Sequence, residues 1–253
     1  MKKIVALLAV LCLLFTGGIS CSQVLQMKAE NSAASQQAAA LVTETPAVQI
    51  DTVDLAALYA KYPPEATVAS VNGRDVTWSE YFYFYGSYIL DVESAMQYYA
   101  QYGYPVSWDD VFDEASGKTW SDLPSDSTVQ DIREYTAIAT FAEENGIVLS
   151  ADAEAEIEAS LLEAAKDALG EDAGLEAFEA FLSQYYLPLD VYRQMLRTSS
   201  LYNQILREHY QLLEDAGDEA VEQARQSFSS DLMPVYENTD FTYSDGFVLP
   251  SLP

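Results

Sequence analysis

The chain has 253 residues, of which 40 are acidic and 12 are Lys or Arg, so its formal net charge at pH 7 is −28. This excess of negative charge argues against nucleic acid as a partner, because the phosphate backbone requires cations facing it. It also disfavours flat docking on anionic lipid. Both cysteines, Cys12 and Cys21, lie near the N-terminus, so we expect no disulfide in the folded part and a fold stabilised by its core.

The first twenty residues have the features of a lipoprotein signal peptide. Two lysines precede the apolar run Ile4–Phe15, which is too short to span a bilayer and has the length of a signal-peptide hydrophobic region. Residues 18–21 resemble a bacterial lipobox, although Gly18 stands where Leu is usual. We therefore expect lipidation at Cys21 and a protein anchored to the cell membrane on its extracytoplasmic side. The alternative is an ordinary secretory signal cut nearby, which would leave a secreted protein.

Residues 21–50 predict a flexible tether between the membrane and the folded part. They are rich in Ala, Ser, Gln and Thr and include no aromatic residue. About 30 flexible residues have a root-mean-square span of about 30 Å, which is enough to hold a domain away from the membrane. We expect residues 51–253 to fold as one helical domain.

A short stretch near the start of this domain predicts a β-hairpin followed by a capped helix. Asn72-Gly73, directly after Val71, is the dipeptide preferred in a type I′ turn, because both turn positions need positive φ. Thr77 has Glu80 three residues further on, which is the capping-box pattern that begins a helix.

This unit resembles the opening of the SurA/PrsA-like N-terminal chaperone domain, in which a strand ending in Val-Asn-Gly leads into a second strand and a helix with an aromatic residue near its start. The matching residues are Val68, Ala69, Val71, Asn72, Gly73, Val76, Thr77, Glu80, Tyr81 and Phe82. The resemblance continues more loosely to about Tyr210. It implies a mostly α fold with a small sheet completed by the C-terminal segment 239–253. It also implies a membrane-tethered chaperone or foldase-like protein that binds unfolded or secreted polypeptide without ATP.

Apolar periodicity and capping residues predict the remaining helices. They cover approximately residues 78–102, 128–146, 150–169, 175–182, 188–213 and 218–231. We expect residues 108–125 to form a loop-rich insert, because Gly117 and Pro124 interrupt any regular pattern. We also expect Phe241–Leu249, which has β character, to pair with residues 67–71.

No catalytic residue, cofactor or metal site is predicted. The parvulin-type prolyl isomerase domain of many members of the resembled family is not found, because the sequence has a single histidine, His209. His209 falls on the apolar stripe that contains Tyr202 and Ile205, so we expect it to be partly buried. The acidic cluster at residues 214–219 lacks the spacing of an EF-hand. A divergent peptidylprolyl isomerase remains an alternative.

Aromatic residues are concentrated between Trp78 and Trp108, where 12 of 31 residues are aromatic. Five of them are consecutive, and one face of a helix cannot bury all five at 3.6 residues per turn. Either a groove for unfolded polypeptide or a helix buried between its neighbours would explain them. The candidate polypeptide contacts are Tyr81, Tyr85, Tyr98, Tyr99, Tyr102, Tyr104 and Trp108.

Two further hypotheses concern ligands and charge. Trp78, Trp108 and Trp120 could stack on a sugar or peptide in a ligand- or partner-binding lipoprotein. The high negative charge could favour basic clients, or it could only keep the protein soluble. The sequence leaves client identity and oligomeric state open.

Overall fold

A computed structural model describes residues 51–213 and 216–253. The predicted signal peptide, the tether and Cys21 lie outside these residues, as do Glu214 and Asp215 of the acidic cluster. Within the described ranges, no helix combines the length and the apolar character needed to cross a membrane.

The predicted mostly α fold is confirmed. The helices are α1 (Leu55–Tyr59), α2 (Trp78–Gln101), α3 (Leu123–Glu144), α4 (Ala151–Leu169), α5 (Leu175–Ser183), α6 (Leu189–Glu208) and α7 (Asp218–Glu237). The strands are β1 (Thr67–Val71), β2 (Arg74–Thr77), β3 (Val111–Asp113), β4 (Lys118–Thr119) and β5 (Phe241–Tyr243).

The hairpin predicted from Asn72-Gly73 is confirmed. Strands β1 and β2 are antiparallel with Val71 opposite Arg74, and the turn residues Asn72 and Gly73 have φ values of 47° and 79°. Positive φ at both positions is what a two-residue type I′ turn requires. Helix α2 follows β2 at once, and the Thr77 hydroxyl oxygen accepts a hydrogen bond from the Glu80 amide at 3.3 Å.

The C-terminal part of the chain completes the sheet, as expected. Strand β5 pairs antiparallel with β1, with Val71 opposite Phe241, so the strand order is β2-β1-β5. The pairing covers only residues 241–243, which is shorter than the predicted segment. Residues 244–253 continue without regular secondary structure.

Apolar faces of three long helices form a large part of the core. Helices α3, α6 and α7 meet around Phe141, Ile205 and Phe228. The short helix α5 packs between α4 and α6, where the ring centres of Phe178 and Tyr192 lie 6.0 Å apart.

Several predicted boundaries are wrong, and the first is the start of α3. Helix α3 begins at Leu123 rather than near Thr128. Thr128 is buried inside the helix, and its hydroxyl donates to the Pro124 carbonyl at 2.7 Å. Pro124 itself lies in the first turn, where a missing N–H costs nothing.

The insert at residues 108–125 is not a plain loop. Strands β3 and β4 form a small antiparallel hairpin with Val111 opposite Thr119, and α3 begins within the same range. Helix α1 was not predicted, and α7 continues to Glu237, beyond its predicted end.

Helix α6 ends five residues earlier than predicted, at Glu208. The chain then reverses through Gln211, whose φ is 55°, and the Leu212 amide donates to the Leu206 carbonyl. This reversal leaves His209 exposed, contrary to the expected partial burial, although its ring contacts Phe141 at 5.5 Å between centres.

Candidate functional site: an aromatic surface at the end of helix α2

Helix α2 divides into a buried first half and a partly exposed second half. Every residue from Trp78 to Gly86 is buried, because the helix lies against α3, the sheet and the segment that follows β5. Beyond Met96 only one side of the helix is covered. The same kind of residue, tyrosine, therefore has a different environment in each half.

Three of the candidate polypeptide contacts belong to the core. The Tyr81 hydroxyl is 2.9 Å from that of Tyr243, and the Tyr85 hydroxyl donates to the Pro250 carbonyl. Burial raises the pKa of Tyr81 and of Tyr85 far above the usual range. Trp108 is buried, and its Nε1 donates to the Asp51 carbonyl at 2.9 Å. These side chains have no free surface in this structure, so we correct the prediction by removing them from the exposed polypeptide contacts.

The other four candidates are exposed and adjacent. Their exposed fractions are 46% for Tyr98, 43% for Tyr99, 62% for Tyr102 and 69% for Tyr104. The ring centres of Tyr98 and Tyr102 lie 4.8 Å apart, and those of Tyr98 and Tyr99 lie 6.1 Å apart.

The C-terminal end of α2 fixes the position of Tyr104. The Gly103 amide donates to the Ala100 carbonyl, and the Tyr104 amide donates to the Tyr99 carbonyl. This pair of hydrogen bonds is the Schellman motif, and it needs the φ of 82° that Gly103 adopts. Tyr104 is thereby folded back beside the last turn instead of extending away from it.

The hairpin β3–β4 extends the exposed aromatic residues beyond the helix. Trp120, which follows β4, is buried, and its ring contacts Tyr99 and Phe112 at 5.7 and 4.9 Å between centres. Phe112 is about half exposed. We call the set Tyr98, Tyr99, Tyr102, Tyr104 and Phe112 the aromatic surface. Sequence reasoning missed Phe112 and named Trp120 only as a possible ligand-stacking residue. The apolar pair Val111-Phe112, the turn residue Gly117 and Trp120 together form a hairpin signal.

Carboxylates hold the hairpin in shape. Asp113 accepts hydrogen bonds from the Ser116 hydroxyl at 2.6 Å and the Ala115 amide at 3.0 Å, and these bonds lower its pKa. Asp122 accepts from the Thr119 amide at 2.8 Å, and this bond is the largest cause of its lowered pKa. Both groups are ionised at neutral pH, so they stabilise the turn and also add negative charge near the aromatic surface.

The chain around the aromatic surface is strongly acidic. Residues 91–126 include eight carboxylates and one cation, Lys118. The Lys118 ammonium is paired with Asp126 at 2.5 Å.

The motif residues of the hairpin serve the fold. Glu80 is buried and binds both terminal nitrogens of Arg74 at 2.9 Å, and it also accepts a hydrogen bond from the Tyr135 hydroxyl. This network joins β2, α2 and α3. Val71 lies in the sheet with no exposed surface, so Val71 and Glu80 position the start of α2 and contribute no contact surface.

None of the three tryptophans has a free face for an added ligand in this structure. Trp78, Trp108 and Trp120 are all buried, and the Trp78 Nε1 is occupied by the Tyr59 carbonyl at 2.7 Å. This contradicts the arrangement expected for a sugar- or peptide-stacking site. In residues 51–213 and 216–253 there is also no cluster of three or more His, Cys, Asp or Glu side chains that could hold a metal ion.

Comparison of the chain with protein-family models, with curated proteins and with solved structures finds no match.

Proposed function

We propose that the protein is a membrane-tethered extracytoplasmic chaperone or foldase-like protein that holds unfolded or secreted polypeptide on the aromatic surface without ATP. The observation that carries this proposal is the group of four tyrosines at the end of α2, each between 43% and 69% exposed. Contiguous exposed apolar surface on a soluble domain marks an interaction site.

Tyrosine suits a binding surface that must tolerate many sequences. Its ring offers large apolar area with only two side-chain torsions to order, and its hydroxyl can remain in water or bond to a polypeptide backbone. The rings are presented by a helix whose other half is buried, so the surface is rigid before a client arrives. This limits the entropy lost on binding.

The proposal also rests on the resemblance of the hairpin and α2 to the SurA/PrsA-like chaperone domain and on the predicted lipidation at Cys21. It does not include prolyl isomerase activity. His209 is exposed at the end of α6, and its ring contacts Phe141 and Tyr210, which favours a packing role.

The test is suppression of aggregation of a reduced, unfolded model protein by stoichiometric amounts of this protein, with no nucleotide present. We expect suppression by the wild type and its loss in the double variant Tyr102→Ser and Tyr104→Ser. These two side chains are the most exposed of the four, so folding should be unaffected. The matched control is Tyr185→Ser, because Tyr185 is 40% exposed on the connection between α5 and α6.

Equal suppression by the wild type and the folded double variant would contradict the proposed surface. No suppression by the wild type would contradict the function itself. A prolyl isomerisation assay run in parallel would show turnover if the protein is a divergent isomerase, and no turnover is expected.

A further inference from the structure

Residues 244–253, which follow β5, lie across the aromatic first half of α2. They have no regular secondary structure, and none of them is fully buried. The residues beneath them, Trp78, Tyr81 and Tyr85, have almost no exposed surface. The segment therefore covers an aromatic face without being enclosed by it.

Phe247 is the aromatic anchor of this segment. Its ring centre lies 5.1 Å from that of Tyr62, 6.0 Å from that of Trp78 and 6.1 Å from that of Tyr81. The Tyr243 ring stacks on the Phe247 ring with their centres 5.5 Å apart. Aromatic rings at 4.5–7 Å attract one another beyond the effect of their buried area, so the cage selects an aromatic side chain.

The hydrogen bonds that Tyr62 and Tyr85 make to the segment involve its backbone. The Tyr62 hydroxyl donates to the Val248 carbonyl at 2.8 Å and accepts from the Val248 amide at 3.3 Å. The Tyr85 hydroxyl donates to the Pro250 carbonyl at 3.4 Å. The Val248 side chain itself is 70% exposed. Backbone contacts of this kind depend little on the sequence of the bound segment.

We propose that Tyr62, Trp78, Tyr81 and Tyr85 form a peptide-binding cleft that residues 244–253 occupy in cis. The cleft accepts a peptide whose aromatic anchor follows a turn and precedes apolar residues, as Phe247 follows Asp245-Gly246. Tyrosine hydroxyls bind the backbone of the segment, aromatic rings surround Phe247, and the Val248 side chain faces outward. The segment is therefore bound in the way a peptide ligand would be. This site is separate from the aromatic surface and does not depend on it.

Occupancy in cis limits access for a peptide in trans. A segment tethered next to its site has an effective concentration of about 1 mM or more, so an added peptide must compete with it. The apparent affinity is reduced by the fraction of molecules whose cleft is open. Weakening the anchor should therefore increase binding of an added peptide.

The test uses the full chain and a fluorescent decapeptide with the sequence of residues 244–253, followed by fluorescence anisotropy. We expect Phe247→Ala to bind this peptide at least about tenfold more tightly than the wild type, because loss of a large apolar anchor opens the cleft. The control Ser251→Ala changes only an exposed side chain, and its affinity should equal that of the wild type. The same peptide with Ala in place of its Phe should not bind.

A folded Phe247→Ala variant that binds the peptide no better than the wild type would overturn the proposal. If that variant does not fold, amide hydrogen exchange of the wild type decides. The Ser244, Phe247 and Val248 amides, which are all hydrogen-bonded, should exchange at least about tenfold faster than the amides of β1 by local opening. If the amides of the segment and those of β1 exchange at the same rate, through global unfolding alone, the segment is a fixed part of the core and the proposal is wrong.

Discussion

Asn72 has two separate roles that substitutions can distinguish. Its backbone has a φ of 47°, which the turn requires, and its Oδ1 accepts a hydrogen bond from the Asp240 amide at 2.8 Å. Asn72→Gly removes the side-chain bond together with the Cβ, whereas Asn72→Ala removes the same bond and keeps a Cβ in the left-handed region, which costs about 1–2 kcal/mol. We expect Asn72→Ala to be about 1 kcal/mol less stable than Asn72→Gly in urea unfolding, and equal stabilities would show that the turn is not strained.

Residue roles set by near neighbours could be read from the sequence. Asn72, Gly73 and Thr77 act as predicted because turn and cap geometry depends on positions within three or four residues. The partners of Glu80 could not be predicted completely, since Tyr135 is 55 residues away in the chain.

Exposure of the tyrosines could not be predicted either. Tyr85 and Tyr98 lie on the same helix, and each has another aromatic residue next to it in sequence. The Tyr85 hydroxyl contacts Pro250, which is 165 residues away, whereas Tyr98 is 46% exposed. Burial of an aromatic residue depends on what the rest of the chain places over it, and local periodicity carries no information about that.

Among the elements, the end of α7 depends on a side chain of α3. The Arg133 Nε donates to the Thr239 carbonyl at 2.9 Å, and one terminal nitrogen donates to the Tyr236 carbonyl at 2.8 Å. The guanidinium also lies 4.4 Å from the centre of the Tyr236 ring. A cation at a helix C-terminus satisfies its last carbonyls and complements the helix dipole.

We expect Arg133→Met to lower the free energy of unfolding by about 2 kcal/mol, because hydrogen bonds from charged donors contribute about 1.5–3 kcal/mol. The amides of β5 should also exchange faster, since Arg133 holds the connection from α7 to that strand. Urea unfolding and hydrogen exchange measure the two effects. Arg207→Met, at an exposed position in the last turn of α6, is the control and should change stability by less than about 0.5 kcal/mol.

Helix boundaries were predictable where a cap residue decides them and unpredictable where packing does. Helix α4 has its predicted bounds because the Ser150 hydroxyl accepts from the Ala153 amide and Gly170 directly follows its last residue. Thr128 has the same chemistry as a cap residue, but it lies in the interior of α3. Strands β3 and β4 are too short to give a periodic signal.

At the scale of the whole molecule, the sheet closed by β5 was expected, and the half-buried position of two carboxylates on α3 was not. Asp131 and Glu134 lie on α3, and the Tyr88 hydroxyl of α2 donates to Asp131 at 2.7 Å. Burial raises the pKa of Asp131 from 3.8 to about 6, against the lowering effect of that hydrogen bond. Burial and the charge of Asp131 raise the pKa of Glu134 from 4.5 to about 7.

These two raised pKa values predict that the protein is more stable in mild acid than at pH 8. Between the unfolded and folded pKa values the native state binds more protons than the unfolded state, so the free energy of unfolding rises as the pH falls from about 8 to about 5. The lowered pKa values of Asp113, Asp122 and Glu158 act in the opposite direction, but only when the pH falls through the carboxylate range near 4 and below. We therefore expect maximal stability near pH 5.

Glu134→Gln tests the source of this pH dependence. The amide fills the same space without a charge, so the variant should be about 1–2 kcal/mol more stable than the wild type at pH 8 and nearly equal to it at pH 5. Glu163→Gln removes one carboxylate at an exposed position of α4, so it reports the effect of net charge alone. Urea unfolding at both pH values distinguishes the two causes. If both variants shift stability equally, general repulsion within a chain of charge −28 governs the pH dependence, and the half-buried carboxylates of α3 do not.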